Sequence, residues 1–157
     1  MWTGNPPKSA IILGGMGLIP FVSLALIIVA GPQEFAVDAR LALTSYGALI
    51  LSFLGGVHWG YCIGNSKREV ASNVTRLLVS VIPSLVAWGA LLLPTHIGLF
   101  GLAGSFLAML VLDTCSVYWG WVPTWYPKLR WPLTICAVTA LTAAALWIRL
   151  LETGNKY

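Results

Sequence analysis

The chain has 157 residues, of which 58% are apolar and only 9% are Asp, Glu, Lys or Arg. An ordinary soluble domain has roughly 45–50% apolar and about 25% charged residues. The formal net charge of +4 is spread thinly between long uncharged stretches and does not describe a basic surface for nucleic acid. These numbers exclude a soluble enzyme and a nucleic-acid-binding domain, and they indicate an integral membrane protein.

Five uncharged stretches are long enough to cross a bilayer as helices. A hydrocarbon core about 30 Å thick requires about 20 helical residues, because the backbone polar groups must be paired within the segment. Prolines at positions 20 and 83 are expected to kink the first and third spans. We therefore predict one all-α transmembrane domain over residues 1–157, a compact bundle of five helices. The predicted spans are residues 10–30, 41–64, 73–93, 97–119 and 131–148.

Lys and Arg residues are distributed unevenly between the two sets of connecting segments. One set holds six of them: Lys8, Lys67, Arg68, Arg76, Lys128 and Arg130. The other set holds three: Arg40, Arg149 and Lys156. Since short loops rich in Lys and Arg stay on the cytoplasmic side, we predict a cytoplasmic N-terminus and a C-terminus outside.

The segment at residues 118–132 is rich in tryptophan, proline and basic side chains. Indole rings prefer the headgroup level of the membrane, and basic side chains there face anionic lipid. A ligand-binding aromatic cage is the less favoured alternative. The predicted interfacial anchors are Trp119, Trp121, Trp125, Lys128, Arg130 and Trp131.

Two ionisable side chains, His58 and Asp113, lie within the predicted spans. Each lies about 5 residues, or about 8 Å, past the middle of its span toward the cytoplasmic side. The second and fourth spans run in the same direction, so we expect the two side chains to meet at one depth. The pair is interpreted as an interhelical clamp rather than a proton-exchanging couple, because no further carboxylate continues a proton path. Arg76 is an alternative partner for Asp113.

Three cysteines fall in the same half of the predicted bundle as His58. Cys62 lies one helical turn after His58 and is a further candidate polar partner, while Cys115 and Cys136 lie on other spans. Imidazole and thiolates together would suit copper or zinc. The chain has no CxxC or HxxxH spacing, however, and buried cysteines commonly act as small apolar fillers. We therefore predict no metal site and no cofactor.

Gly56, Gly60 and Gly64 form a GxxxGxxxG ridge on the second span. Such a ridge lets a neighbouring helix backbone approach closely. At about 100° per residue, Gly56 and Gly60 point roughly away from His58, whereas Gly55 lies nearer the histidine side. Packing inside the bundle is the favoured interpretation of the ridge, and a homodimer seam is the alternative.

The SFLGGVHWG stretch at residues 52–60 is the most specific motif of the chain. Together with Arg76, SVIPSLVAW at residues 80–88, Asp113 and WYPKLR at residues 125–130, it resembles the DUF3429 family of small multi-pass membrane proteins, which includes the transmembrane protein 69 group. The resemblance covers nearly the whole chain. That family is of uncharacterised function and occurs in bacteria and in mitochondria-related eukaryotic forms. The resemblance therefore implies a bacterial inner-membrane location and supplies no catalytic residues.

Three functions fit these features. The favoured one is a non-enzymatic accessory, assembly or structural partner of a larger complex in the bacterial inner membrane, because the chain has little extramembrane mass and no catalytic motif. Its expected partners are the lipid bilayer and other membrane-protein subunits, not nucleic acid. One alternative is a small proton-linked transporter that uses His58 and Asp113. The other is a membrane-embedded metal-handling protein built on these two residues with Cys62 and Cys115.

Overall fold

The computed structural model describes residues 4–64 and 70–154, with the backbone alone for residues 64, 70–73 and 75. This part of the chain consists of six α-helices and contains no strand. The predicted all-α fold class is confirmed. In chain order the helices are α1 (Lys8–Met16), α2 (Ile19–Ala30), α3 (Gln33–Gly64), α4 (Val70–Leu91), α5 (Thr95–Tyr118) and α6 (Tyr126–Gly154).

The first predicted span is divided into two helices, α1 and α2, which meet at Gly17 and Leu18. Pro20 lies in the first turn of α2. A proline is tolerated there because its missing N–H needs no intrahelical partner, whereas in a continuous helix its ring would clash with the preceding turn. The kink predicted near Pro20 is an interruption at Gly17 and Leu18, both of which keep right-handed helical dihedrals, so α1 and α2 together form one unit over Lys8–Ala30.

Four helical units in the described part are long and apolar enough to cross a membrane. They are Lys8–Ala30, Gln33–Ile63, Thr95–Tyr118 and Tyr126–Gly154. The remaining helix, α4, contributes a shorter apolar stretch, Arg76–Leu91, within its 22 residues. At 1.5 Å per residue α4 measures about 33 Å, which matches a hydrocarbon core of about 30 Å. The predicted spans 10–30, 41–64, 97–119 and 131–148 overlap these four units, and the predicted span 73–93 overlaps α4.

Two helices begin well before the predicted spans. Helix α3 begins at Gln33 rather than at residue 41, and α6 begins at Tyr126 rather than at residue 131. Glu34 lies in the first turn of α3, where a carboxylate interacts favourably with the helix dipole. Charged residues thus end the apolar runs of this sequence without ending its helices.

Helix α3 lies at the centre of the bundle and packs against α2, α4 and α5. Helix α6 packs against α5 and α2, and α1 packs against α6. The interior between these helices is apolar for most of its length. Its fully buried large side chains include Phe21, Leu43, Leu51, Phe106 and Leu141.

The two ends of the bundle are marked by different contacts. At one end the Lys128 ammonium lies 3.4 Å from the Gly4 carbonyl oxygen, so the start of the described chain lies beside the start of α6. We call this the N-terminal end. At the opposite end His96 Nδ1, in the first turn of α5, lies 2.9 Å from Glu152 Oε2 near the end of α6. The described chain therefore begins and finishes at opposite ends of the bundle.

Candidate functional site

Asp113 of α5 lies at the centre of the most polar region inside the bundle. Its side chain is fully buried, and each carboxylate oxygen has a partner from a different helix. Nε2 of His58, on α3, lies 2.9 Å from Oδ1. Nε of Arg130, on α6, donates to Oδ2 at 2.8 Å. We call these three residues the polar clamp, because together they tie α3, α5 and α6 to one another.

The directions of the helices explain why these positions meet. Helices α3 and α5 both run toward the N-terminal end of the bundle, so His58 and Asp113 lie at the same depth, as the sequence predicts. Helix α6 begins at that end and runs the opposite way, so Arg130 reaches this depth in its second turn. The structure places the predicted pair in direct contact and adds a cation to it.

The sequence interpretation of Arg130 as a lipid-facing anchor is wrong. Its side chain is only 6% exposed and is held by Asp113. Because α6 begins at Tyr126, Arg130 lies one turn inside the helix, on the same stripe as the buried residues Thr134, Ala137 and Leu141. The signal available in the sequence is Asp113, since a buried aspartate requires a cationic or hydrogen-bonding partner.

The contacts of the polar clamp fix one proton position. A carboxylate only accepts hydrogen bonds, so the proton in the His58–Asp113 contact belongs to Nε2 of the imidazole. One carboxylate and one guanidinium balance in charge, so the clamp is electrically neutral when the imidazole carries a single proton. The tautomer with Nε2 protonated then leaves Nδ1 of His58 as an acceptor.

Several polar atoms around the polar clamp are buried without a hydrogen-bond partner among the described residues. They are Nδ1 of His58, Oγ of Ser116, Nη2 of Arg130 and Oγ1 of Thr134. Ser116 follows Asp113 by about one turn, and Thr134 follows Arg130 by one turn, so both hydroxyls lie beside the clamp on its own helices. Buried polar groups of this kind are normally satisfied by water or by a ligand.

Arg76, proposed from the sequence as an alternative partner of Asp113, makes a different contact. Its guanidinium donates to the Trp121 carbonyl oxygen at 2.6 Å and lies 5.2 Å from the centroid of the Trp121 ring. The side chain is buried at the start of the apolar part of α4. Arg76 therefore ties α4 to the connection between α5 and α6, while the Asp113 oxygens bind His58 and Arg130.

The other predicted anchors at the N-terminal end fall into two groups. Trp119, Trp131 and Lys128 are exposed on the outer surface, with about half of the Trp131 side chain accessible. Trp121 and Trp125 are partly buried, and the Trp121 ring packs on that of Trp119 with 4.8 Å between centroids. Lipid anchoring by the exposed residues stays a prediction. The partly buried residues also have contacts inside the protein.

The glycines of α3 face in two directions. A Cβ at Gly55 would collide with the Ser80 carbonyl oxygen of α4, so α3 and α4 approach closely at this point. Gly56 and Gly60 are exposed, and a Cβ at either would meet nothing within 4 Å. The expectation that Gly56 and Gly60 pack inside the bundle is therefore wrong, because Gly55 occupies the inward position. The surroundings of Gly64 lie outside the described part.

The three cysteines form no disulfide bond and lie on three different helices. Cys62 is buried on α3, while Cys115 on α5 and Cys136 on α6 are partly buried. Within residues 4–64 and 70–154, no group of three or more His, Cys, Asp or Glu side chains is arranged to hold a metal ion. His96 and Glu152 meet at the far end of the bundle, away from the polar clamp.

The fold and the polar clamp define a small multi-pass membrane protein with its main charged cluster sealed between helices. The chain belongs to the DUF3429 family, described as a "Protein of unknown function", whose model matches residues 6–146. It is similar to "Transmembrane protein 69" of Xenopus tropicalis, at 36% identity over 146 residues that cover 90% of this chain and 55% of the frog protein. The mouse protein of the same name is also 36% identical, over 56% of this chain and 35% of its own length. The chain thus spans about half or less of these relatives, and no solved structure matches it.

Proposed function

We propose that this integral membrane protein is a non-enzymatic accessory or assembly subunit that binds a transmembrane helix of a larger complex. The observation that carries the proposal is the outer face of α3. Gly56 and Gly60 lie there one turn apart, exposed and without a neighbour within 4 Å of a Cβ position. None of the chain's described helices covers this face.

Small residues on a free helix face are more informative in a membrane than exposed bulky ones. Exposed Leu, Ile and Phe side chains are expected wherever a helix meets lipid, so they do not distinguish a binding face. Helix association in lipid depends instead on close backbone approach, which glycines at a four-residue spacing permit. On α3 the ridge is flanked by Phe53 and Ile63, both about two-thirds exposed, which can pack around an incoming helix.

The polar clamp supports a structural role over a transport role. Both oxygens of Asp113 are bound, and neither Asp113 nor His58 is accessible. A proton carrier requires an accessible acceptor. The observation that favours a carrier is the set of buried atoms without hydrogen-bond partners, namely His58 Nδ1, Ser116 Oγ and Thr134 Oγ1. This second candidate predicts proton or substrate flux in liposomes that contain the protein alone. Loss of that flux in a folded His58→Ala variant would favour the carrier over the accessory subunit.

A photoreactive amino acid in place of Phe53 tests the α3 face in living cells. Phe53 precedes Gly56 on the same face and is exposed, so the probe is expected to give one discrete cross-linked species. The same probe in place of Leu85, equally apolar and exposed on α4, is the matched control and should give none. Adding Gly56→Leu should abolish the cross-link from position 53, because the leucine side chain occupies the space beside Gly60 that the partner helix would fill.

Two results would contradict this proposal. One is a cross-linked species of twice the chain mass, which would identify a homodimer. The control variant is Gly15→Leu, which adds the same volume on an exposed part of α1. The other contradicting result is a Phe53 cross-link that is equally strong in the Gly56→Leu and Gly15→Leu variants.

We also propose an orientation and a membrane location for the chain. The six-to-three distribution of Lys and Arg along the sequence supports a cytoplasmic N-terminus, and the bacterial inner membrane is the location that the family resemblance implies. In a background without Cys62, Cys115 and Cys136, Ser9→Cys should react with an impermeant thiol reagent only from the cytoplasmic side. Thr153→Cys should react only from outside. The reverse pattern would show that the orientation is inverted.

A further inference from the structure

A cavity of about 380 Å³ opens within the bundle on the side of α1. Its walls come from α1, the α1–α2 junction, α2, α3, α5 and the start of α6. Phe21, Phe53 and Phe106 line its apolar part, while Trp125 and Arg130 line it toward the N-terminal end. The volume lies at the lower end of the range of about 300–1,000 Å³ for small-molecule pockets. It therefore suits a single apolar chain rather than a two-chain lipid.

Two residues that line this cavity each carry a buried N–H donor. Nη2 of Arg130 and Nε1 of Trp125 are each buried and have no hydrogen-bond acceptor in the part of the chain that the structure describes. The Arg130 side chain is more than nine-tenths buried, so bulk water does not accept its hydrogen bonds. Buried donors are nearly always paired. Both residues lie at the polar end of an apolar cavity, and this combination points to an amphiphile with an acceptor head.

The charge of the site selects the kind of head group. Nε of Arg130 is bound to the Asp113 carboxylate at 2.8 Å, so the positive charge of the guanidinium is already balanced. A carboxylate or phosphate head would add an uncompensated negative charge close to Asp113. A neutral carbonyl oxygen accepts hydrogen bonds without that cost.

We propose that the cavity binds one apolar chain with a carbonyl head whose oxygen accepts hydrogen bonds from Trp125 Nε1 and Arg130 Nη2. An acyl-ester lipid and an isoprenoid quinone share this chemistry. Gly56 and Gly60 do not line the cavity, whereas Phe53 lies between the cavity and the glycine ridge, so the binding test below uses Trp125 and Ala137 instead. It gives Trp125 a ligand-binding role beyond lipid anchoring.

Native mass spectrometry of the full chain in detergent can measure the binding. The protein is titrated with monooleoylglycerol, with a short-chain ubiquinone analogue and with oleate, and we expect saturable binding of one molecule of a neutral ligand. Trp125→Phe keeps the ring but removes the donor, and should weaken binding about 3- to 10-fold, as expected for one hydrogen bond. Trp131→Phe, at an exposed ring that does not line the cavity, should leave the affinity unchanged.

The three ligands separate the possible outcomes. Binding of the ester alone or of the quinone alone supports the proposal and identifies the source of the carbonyl head. Tighter binding of oleate than of either neutral ligand would overturn it, as would the absence of saturable binding. Ala137→Trp, which fills the cavity from α6, should abolish binding. Should that variant fail to fold, Trp125→Phe decides: an unchanged affinity for the neutral ligands would overturn the proposal.

Discussion

Asp113→Ala is expected to lower the free energy of unfolding by about 3–5 kcal/mol, the range for removing one partner of a buried ion pair. The substitution leaves the Arg130 guanidinium buried without its carboxylate and removes the hydrogen-bond partner of His58 Nε2. Titration of the micelle-bound protein with sodium dodecyl sulfate, followed by circular dichroism, measures the change. Asp38→Ala is the matched control, because Asp38 is exposed, and it should change the stability by less than about 0.5 kcal/mol.

A double-mutant cycle separates the ion pair from the loss of packing. Arg130→Met should also destabilise strongly, because it leaves the Asp113 carboxylate buried with His58 alone. The double variant combines the same two substitutions, Asp113→Ala and Arg130→Met, and removes both charges; apolar replacement of a whole buried ion pair is often close to neutral. Its cost should therefore be clearly smaller than the sum of the two single costs. Additive costs would show that the two charges do not stabilise each other.

The helices and the membrane class are predictable from the sequence because they depend on local properties. Backbone groups in lipid must be paired within each segment, so an uncharged stretch of sufficient length specifies a helix. The exact ends were less predictable, as the early starts of α3 and α6 show. A charged residue at a membrane boundary can lie in the last turn of a helix or be buried against a partner, and hydropathy does not distinguish these cases.

The polar clamp was predicted in part. Counting residues from the middle of each span is enough to place His58 and Asp113 at one depth, because helical rise is constant. The sequence favours a membrane-surface position for Arg130, because tryptophans and Lys128 surround it. Neighbours in sequence point in different directions on a helix, and Arg130 lies on a stripe of α6 that the fold buries. Thr134, Ala137 and Leu141 form that stripe.

The two adjacent glycines of α3 show the same limit. The GxxxG spacing favours Gly56 and Gly60 as the inward-packing positions. Gly55 has no second glycine four residues away, so the pattern gives no reason to place it inward. The angle of about 100° between consecutive residues is enough to turn one glycine toward α4 and the next toward the outside. His58 marks the inward face of α3, because its side chain is buried, and Gly55 lies nearer to that face than Gly56 does.

Gly55→Ala is therefore expected to destabilise the protein by about 1–3 kcal/mol, the usual cost of overpacking. Its Cβ would collide with the Ser80 carbonyl oxygen, which belongs to the α4 backbone and cannot rotate away as a side chain can. Pro83 lies against the same position, 3.4 Å from the added atom, so α4 must shift as a unit. The same titration that tests Asp113 measures the loss.

Gly56→Ala is the matched control for this prediction, one residue along the same helix. Its Cβ meets nothing within 4 Å, so only the better helix propensity of alanine acts, and stability should stay the same or rise by up to about 1 kcal/mol. The contrast between neighbouring positions isolates the close contact of α3 and α4 from any general effect of removing glycine. Equal effects of the two substitutions would mean that Gly55 does not face α4, and Gly56 and Gly60 would then not form an outward face either.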